Sequence, residues 1–220
     1  MDRALAKAGL RREQIKYCIA TGFGRKAVPY ANKVLGDLVC HHRAIREINT
    51  DVRTVIDVGG QSFAAFNIDD KGWVSETAVT DKCAAGSGRF IEIMADVLEI
   101  TVEEMGSPSF VSAHPATITN QCVILAESEV ISLINDGHNR FDICAGVAES
   151  VSGRIISLVE RVDVNEEVAF IGGVAKNALV VANLERKLGL KFASLDGIDP
   201  RVVGALGTAL VARDERRKAK

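Results

Sequence analysis

The stretch Thr54-Val55-Ile56-Asp57-Val58-Gly59-Gly60-Gln61 decides the fold class of this chain. Its first five residues are typical of a buried strand, and the paired glycines that follow predict a turn. Ser62 to Ile68 and Trp73 to Thr80 are predicted as a second and a third strand. Backbone N–H groups of such a turn are able to face phosphate oxygens, and the Asp57 carboxylate is able to hold Mg²⁺ through water. A tight β-turn that uses its glycines for positive φ explains the same motif without a ligand.

A second glycine pair lies towards the C-terminal end of the chain. Glu167 to Ile171 predicts a strand, Gly172-Gly173 a turn, and the residues from about Ala178 to Leu188 a helix. A strand, a Gly-Gly turn and a helix form an arrangement that binds nucleotides, with a plain turn as the alternative. The last helix is predicted to start at Asp199-Pro200. It contains Gly204-Ala205-Leu206-Gly207-Thr208-Ala209, whose small residues let helices cross closely.

Two cysteines precede helical patterns. Cys83 lies in Asp81-Lys82-Cys83-Ala84-Ala85-Gly86-Ser87-Gly88-Arg89-Phe90, ahead of apolar residues spaced three and four apart, and Cys122 opens the helical run from Val123 to Ile134. Free N–H groups and the positive end of the helix dipole favour a thiolate at such a position. Two thiolates are half of a four-thiolate metal site. The other cysteines are predicted to be core residues, because unpaired cysteine is usually buried: Cys18, Cys40 and Cys144.

The N-terminal quarter predicts a mixture of helix and strand. A helix ends at Gly9, a short buried strand covers Lys16 to Ala20, and a second helix covers Asn32 to Ile48. The glycine-rich turn Thr21-Gly22-Phe23-Gly24-Arg25 either holds an anion or is a simple loop, and the loop is the more economical interpretation. At the opposite end of the chain, Arg213 to Lys220 is predicted to be a charged, solvated helix end.

Composition limits the class of protein. The chain has 220 residues, 47% hydrophobic and 25% charged, with 27 basic and 29 acidic residues and a net charge of −2. These values are ordinary for a globular domain and give no sign of nucleic-acid binding. Neither a signal peptide nor an apolar run of about 18 residues is visible, so a cytoplasmic, non-membrane protein is expected. Its five cysteines are expected to be reduced thiols or metal ligands.

The order of these motifs resembles a known family. Asp57 to Gln61 resembles the second phosphate motif of the acetate kinase, sugar kinase, Hsp70 and actin superfamily, and Ile171 to Val174 its adenosine motif. Gly204 to Ala209 resembles its closing inter-domain helix. With the segments 81–90 and 121–129 between them, nearly the whole chain resembles the BadF/BadG/BcrA/BcrD-type ATPases. These are activators of 2-hydroxyacyl-CoA dehydratases and ATPase subunits of benzoyl-CoA reductases.

The resemblance implies an α/β protein with the actin/Hsp70/acetate-kinase-like ATPase fold, in which two α/β subdomains surround a nucleotide cleft. Residues 1–56 are then the remainder of the first subdomain, and residues 57–203 the second, with the cluster-binding helices. Residues 204–220 form a closing helix that returns toward the first subdomain. Family members begin with an Asp-x-Gly-Ser/Thr phosphate hairpin, and no such motif precedes Asp57. The first subdomain is therefore expected to be N-terminally incomplete.

The resemblance also implies a function: an ATP-dependent electron donor that activates a 2-hydroxyacyl-CoA dehydratase by one-electron transfer at low potential. A homodimer would share one oxygen-sensitive [4Fe-4S] cluster through Cys83 and Cys122 of each subunit and take its electrons from ferredoxin or flavodoxin. Asp57 and Gln61 are expected to act in ATP hydrolysis with Mg²⁺. ATP or ADP is expected to contact Gly59, Gly60, Gly172, Gly173, Asn177 and Gly204.

Three other functions stay open. One is an ATPase subunit of a benzoyl-CoA reductase complex, whose two ATPase subunits are able to differ and so form a heterodimer. Another is a cluster-free relative of sugar or acetate kinases, which leaves Cys83 and Cys122 without a role. The third is a non-catalytic fragment.

Overall fold

The structure, a computed structural model, describes residues 1–80, 87–119 and 122–218. It is mixed α/β, as the sequence predicts, and its chain forms two compact units, one of Met1–Thr50 with Val202–Lys220 and one of Asp51–Arg201. The strands are β1 (Ile19–Ala20), β2 (Lys33–Val34), β3 (Thr54–Val58), β4 (Phe63–Ile68), β5 (Val74–Thr80) and β6 (Val168–Ile171). The helices are α1 (Asp2–Ala8), α2 (Asp37–Ile48), α3 (Gly88–Val97), α4 (Val102–Met105), α5 (Val123–Asn135), α6 (Arg140–Val159), α7 (Ala178–Leu188) and α8 (Val203–Lys218).

The unit Asp51–Arg201 is built on a four-stranded sheet with the order β5-β4-β3-β6. Strands β3, β4 and β5 are antiparallel, which confirms the three consecutive strands predicted from the sequence. Strand β6 is parallel to β3, and Asp57 pairs with Ile171. Because these parallel strands end together, the glycine pairs that follow them emerge at the same edge of the sheet.

The core of this unit lies where α6 packs on β4 and β5 and against α3. The 20-residue helix α6 buries an apolar face, which includes Ile143, Val147, Val151 and Ile155 at intervals of four residues. Cys144 is fully buried beside them, as predicted, and burial raises the pKa of its thiol to about 11. No helix in the described part of the chain is long and apolar enough to cross a bilayer.

In the other unit, α2 packs against α8 across small residues. A Cβ added at Gly207 would lie 1.8 Å from the carbonyl oxygen of Cys40, and one at Gly204 would lie 2.9 Å from His41 Nε2. Glycine therefore permits this crossing, as the sequence predicts. The predicted helix from Asn32 is wrong in its first turn. Residues 33–34 instead form β2, parallel to β1, and the helix begins at Asp37 after the extended Gly36.

Hydrogen bonds decide two predictions in this unit, one about the glycine-rich turn 21–25 and one about the C-terminal segment. The Asp37 carboxylate accepts from Thr21 Oγ1 at 2.9 Å and from the Gly22 N–H at 2.7 Å, so the glycine-rich turn holds a side chain of its own unit. The C-terminal segment is helical through Lys218, as predicted, but the prediction that it is merely solvated is wrong. Asp214 accepts from Arg43 Nε at 2.9 Å, and Glu215 accepts from the Tyr17 hydroxyl at 3.2 Å.

Candidate functional site

The two glycine turns lie side by side at the edge of the sheet in the unit Asp51–Arg201. Gly172 has φ 90° and ψ 178°, a conformation that is open essentially to glycine alone. A Cβ at this residue would lie 2.3 Å from the Val58 carbonyl oxygen and 2.8 Å from Asp57 Oδ1. The second turn therefore packs directly against the end of β3, which places the carboxylate of Asp57 next to both turns.

The first turn is also held by the start of α3. The Gly88 N–H donates to the Gly59 carbonyl oxygen at 2.9 Å, and the Arg89 N–H donates to that of Gly60 at 2.7 Å. A Cβ at Gly88 would lie 3.2 Å from Gly60 Cα and 3.6 Å from Val174 Cγ2. The first turn, the α3 start and the second turn thus meet within van der Waals distance.

Neither the backbone conformation nor the packing requires glycine at residues 60 and 173. Neither has a positive φ, and a Cβ on either would meet nothing within 4 Å. Gly59 also has no positive φ, so the alternative that this pair serves a positive-φ turn is wrong. Two glycines with open space around them leave room for a bulky ligand to approach the backbone.

That open space is a cavity of about 460 Å³, a size typical of small-molecule sites. Its lining combines the two turns, the first two turns of α3, helix α4 and the loop before α8. The apolar lining residues are Ile91, Val102 and Val174, and the charged ones are Glu92, Glu103, Lys176 and Arg201. The cavity therefore offers bare backbone, an apolar wall and charges of both signs.

Asp199 organises the two basic residues of the cavity. Its carboxylate accepts from Arg201 Nε at 3.0 Å and from Arg201 Nη2 at 2.6 Å, and Lys176 Nζ lies 3.6 Å from Asp199 Oδ2. The hydrogen bonds from Arg201 hold the pKa of Asp199 well below its usual range. On the other wall, Glu92 is paired with Arg89 at 3.0 Å.

The remaining predicted site residues occupy different surroundings. Asn177 lines the cavity, but its Oδ1 accepts from the Val180 N–H at 3.0 Å and so caps α7. Gln61 is exposed beside the first turn. Gly204 belongs to the other unit, where it packs on His41. The predicted nucleotide and catalytic roles of these three residues stay predictions.

The structure describes one of the two predicted cluster ligands. Cys122 is half-buried and directly precedes the 13-residue helix α5, so the predicted helix start is confirmed. A thiolate at a helix N-terminus is stabilised by the dipole, which suits a metal-ligating sulfur. Cys83 lies outside the described residues. Across residues 1–80, 87–119 and 122–218, no three His, Cys, Asp or Glu side chains group as a metal site.

Comparison with known proteins decides the family. The model of the BadF/BadG/BcrA/BcrD ATPase family matches residues 1–212. The chain belongs to this ATPase family. It is 39% identical over 220 residues to the 2-hydroxyisocaproyl-CoA dehydratase activator of Clostridioides difficile, covering 100% of this chain and 82% of that protein. It is 40% identical over 218 residues to the activator of lactoyl-CoA dehydratase of Anaerotignum propionicum, covering 99% of this chain and 83% of that protein.

A solved structure supports the fold assignment. The activator of the 2-hydroxyisocaproyl-CoA dehydratase from Clostridium difficile, solved with bound ADPNP, aligns with a TM-score of 0.93 at 39% identity. The alignment covers 99% of this chain and 81% of that chain. The predicted fold class is therefore confirmed.

Sequence reasoning overlooked two residues of the cavity in this ATPase-family chain. Lys176 and Arg201 line the cavity, yet neither was predicted to belong to the site. The available signal was Asp199-Pro200-Arg201, because an acidic residue two positions before an arginine allows a local ion pair that fixes the guanidinium.

Proposed function

We propose that this chain is an ATP-dependent activator of a 2-hydroxyacyl-CoA dehydratase, which delivers one electron at low potential. The observation that carries the proposal is the cavity where two open glycine turns meet beside Asp57, in a member of this ATPase family. The two relatives described above are activators of dehydratases of this kind, and one of them was solved with an ATP analogue.

The nucleotide phosphates would lie against the backbone at Gly60 and Gly173. These residues have no side chain between the backbone and the cavity, so phosphate oxygens are able to approach N–H groups closely. Asp57, which contacts the second turn, would hold the Mg²⁺ of the nucleotide through water. Gln61, exposed beside the first turn, would orient the attacking water.

Cys83 and Cys122 would hold a [4Fe-4S] cluster, which supplies a one-electron redox centre when bound. Such a cluster generally takes four thiolates, and one chain offers two, 122 − 83 = 39 residues apart. A two-fold homodimer meets this need because symmetry repeats both cysteines across the axis. Ferredoxin or flavodoxin would supply the electron.

The surface beside Cys122 supports the same dimer. Ile124 and Leu125, which follow Cys122 in α5, are 71% and 58% exposed. A second copy that brings its own Cys122 to the axis would cover these two apolar side chains. The seam would then be small and apolar, and subunit rotation driven by ATP would act directly on the cluster site.

A reconstitution assay tests the proposal. The anaerobically purified protein, reduced ferredoxin and MgATP are added to an inactive 2-hydroxyacyl-CoA dehydratase, and dehydration is followed. We expect dehydration only when ATP is present.

Asp57→Asn should lower ATP hydrolysis by about a hundredfold or more without loss of iron, as expected for a group that organises the phosphate site. The fully exposed Asp70, exchanged to Asn, is the matched control. ATP-dependent reduction of benzoyl-CoA by a reductase core, without dehydratase activation, would replace this proposal with the reductase alternative.

A further inference from the structure

We infer that Arg201 is the residue on which the nucleobase stacks, and that Asp199 positions it. The inference rests on the proposed function, since it requires that the cavity bind ATP. It adds a specificity-determining residue at the charged end of the cavity, where Lys176 and Arg201 meet Asp199.

The cavity has two chemically different ends. At one end, Gly60, Gly88 and Val174 come together around bare backbone. At the other end, the hydrogen bond to Asp199 raises the pKa of the Arg201 guanidinium, and the charge of the Glu103 carboxylate adds to this rise. Lys176 shares Asp199 with Arg201 at that end. The first end suits phosphate because small residues expose the backbone there.

The charges at the second end cancel, which favours a neutral group. Lys176 and Arg201 carry two positive charges, and Asp199 and Glu103 carry two negative ones. A triphosphate placed there would meet two carboxylates as well as two cations. The nucleoside part of ATP is uncharged, so it is the part of the ligand that this end fits.

Arg201 is held in a way that leaves one surface of its guanidinium to a ligand. Nε and Nη2 donate to the two oxygens of Asp199, and the Arg201 backbone N–H donates to Asp199 Oδ1 at 2.9 Å. A two-point contact with a carboxylate fixes the plane of the guanidinium. The Nε and Nη2 edge of the guanidinium is bound to Asp199, while the Arg201 side chain as a whole is 56% exposed and lines the cavity. Flat guanidinium faces stack on aromatic rings.

The same loop is tethered to the second glycine turn. The Gly172 N–H donates to the Pro200 carbonyl oxygen at 3.0 Å, so the residue before Arg201 is bonded to the turn that would receive phosphate. This bond holds the loop that carries Arg201 beside the second glycine turn, so that one ligand can contact both.

Lys176 is the internal control for this inference. It lines the same cavity and contacts the same Asp199, but an ammonium has no flat face. If the basic residues act only through charge, the two are interchangeable. If Arg201 acts by stacking, Arg201→Lys keeps the charge but loses the flat guanidinium face that contacts the base.

Competition binding of ATP and of ribose 5-triphosphate, which has no base, tests the inference on the anaerobically purified dimer. We expect Arg201→Gln, which removes the cation, to weaken ATP binding about fivefold to tenfold, the size of a partly desolvated cation–π contact. Arg201→Lys, which loses only the flat face, should weaken it about threefold, and both variants should bind ribose 5-triphosphate within about twofold of the parent protein. Asp199→Asn should lower the same ATP preference to a smaller extent, with an unchanged melting temperature. Lys176→Arg should leave the preference intact.

Two results overturn the inference. One is an Arg201→Lys protein that binds ATP as well as the parent protein does. The other is an equal loss of both ligands, which would make Arg201 a phosphate contact. Either result leaves the proposed function standing, because the parent protein still binds ATP. A parent protein that binds neither ligand would refute the proposed function and the inference together.

Discussion

Gly172 lies so close to Asp57 that a β-carbon at residue 172 would be 2.8 Å from Asp57 Oδ1. Parallel pairing of Asp57 with Ile171 produces this contact, since it brings the end of β3 and the second glycine turn together. The two glycines of the turn therefore have different reasons to be glycine. Gly172 is required by conformation and packing, whereas Gly173 is required by neither.

Exchange of these two glycines should separate stability from binding. Gly172→Ala combines a glycine-only backbone conformation with steric overlap, so it should cost about 2 kcal/mol or more and lower the melting temperature by about 5 °C. Gly173→Ala should melt within about 1 °C of the parent protein but bind ATP more weakly, because its methyl group enters the cavity. Thermal unfolding and nucleotide titration measure both. Equal losses of stability in the two variants would contradict this assignment.

Iron content should depend on Cys122 and not on Cys18. Both thiols are half-buried, but only Cys122 lies at the start of a helix that exposes apolar residues. Cys122→Ser should therefore purify without iron and sulfide, and Cys18→Ser should keep the full amount found in the parent protein. Cys83→Ser is expected to behave like Cys122→Ser. Anaerobic iron and sulfide analysis gives the answer, and a Cys122→Ser protein with a full complement of iron would rule out this ligand set.

The strands around the candidate site could be predicted because their pattern is local. Residues 54–80 form three strands that are consecutive in the chain, and their hydrophobic runs and turn glycines carry the signal. Strand β2 could not be predicted in this way. It has two residues, and it exists because the Asn32 and Leu35 N–H groups find the carbonyl oxygens of Cys18 and Ala20. Such a strand depends on tertiary pairing rather than on its own sequence.

The charged residues were harder to assign because their partners are distant in sequence. Asp214 and Arg43 are 171 positions apart, and Glu215 and Tyr17 are 198 positions apart, so a charge run at the end of the chain gives no hint of either contact. Arg201 was missed for a related reason. Its ion pair with Asp199 is local, but the cavity that makes the pair relevant also needs residues as distant as Gly59.

The buried thiol of Cys144 should make stability depend on alkaline pH. Burial raises the pKa of this thiol from 9.0 to about 11, so the folded state keeps the proton that the unfolded state loses. This contribution to the free energy of unfolding is fully present below pH 9. It declines as the pH rises towards 11, by about 2 kcal/mol at most. Cys144→Ala lacks it, so its stability deficit relative to the parent protein should shrink between pH 9 and pH 11. Urea titrations across this range test the prediction, and a constant deficit would contradict it.

The last prediction concerns what holds the proposed dimer together. Each chain contributes Cys83, Cys122 and the exposed pair Ile124 and Leu125, and two apolar residues per copy are far fewer than a stable interface usually buries. The cluster should therefore supply most of the association energy. Removal of iron by a chelator, or exposure to air, should convert the dimer to monomer and end electron delivery to the dehydratase at the same time. Sedimentation of anaerobic and iron-depleted samples at low concentration measures this. Cys18→Ser is the control, because it removes a half-buried thiol that is not one of the proposed cluster ligands. An iron-free protein that stays a tight dimer would show that protein contacts, and not the cluster, join the two subunits.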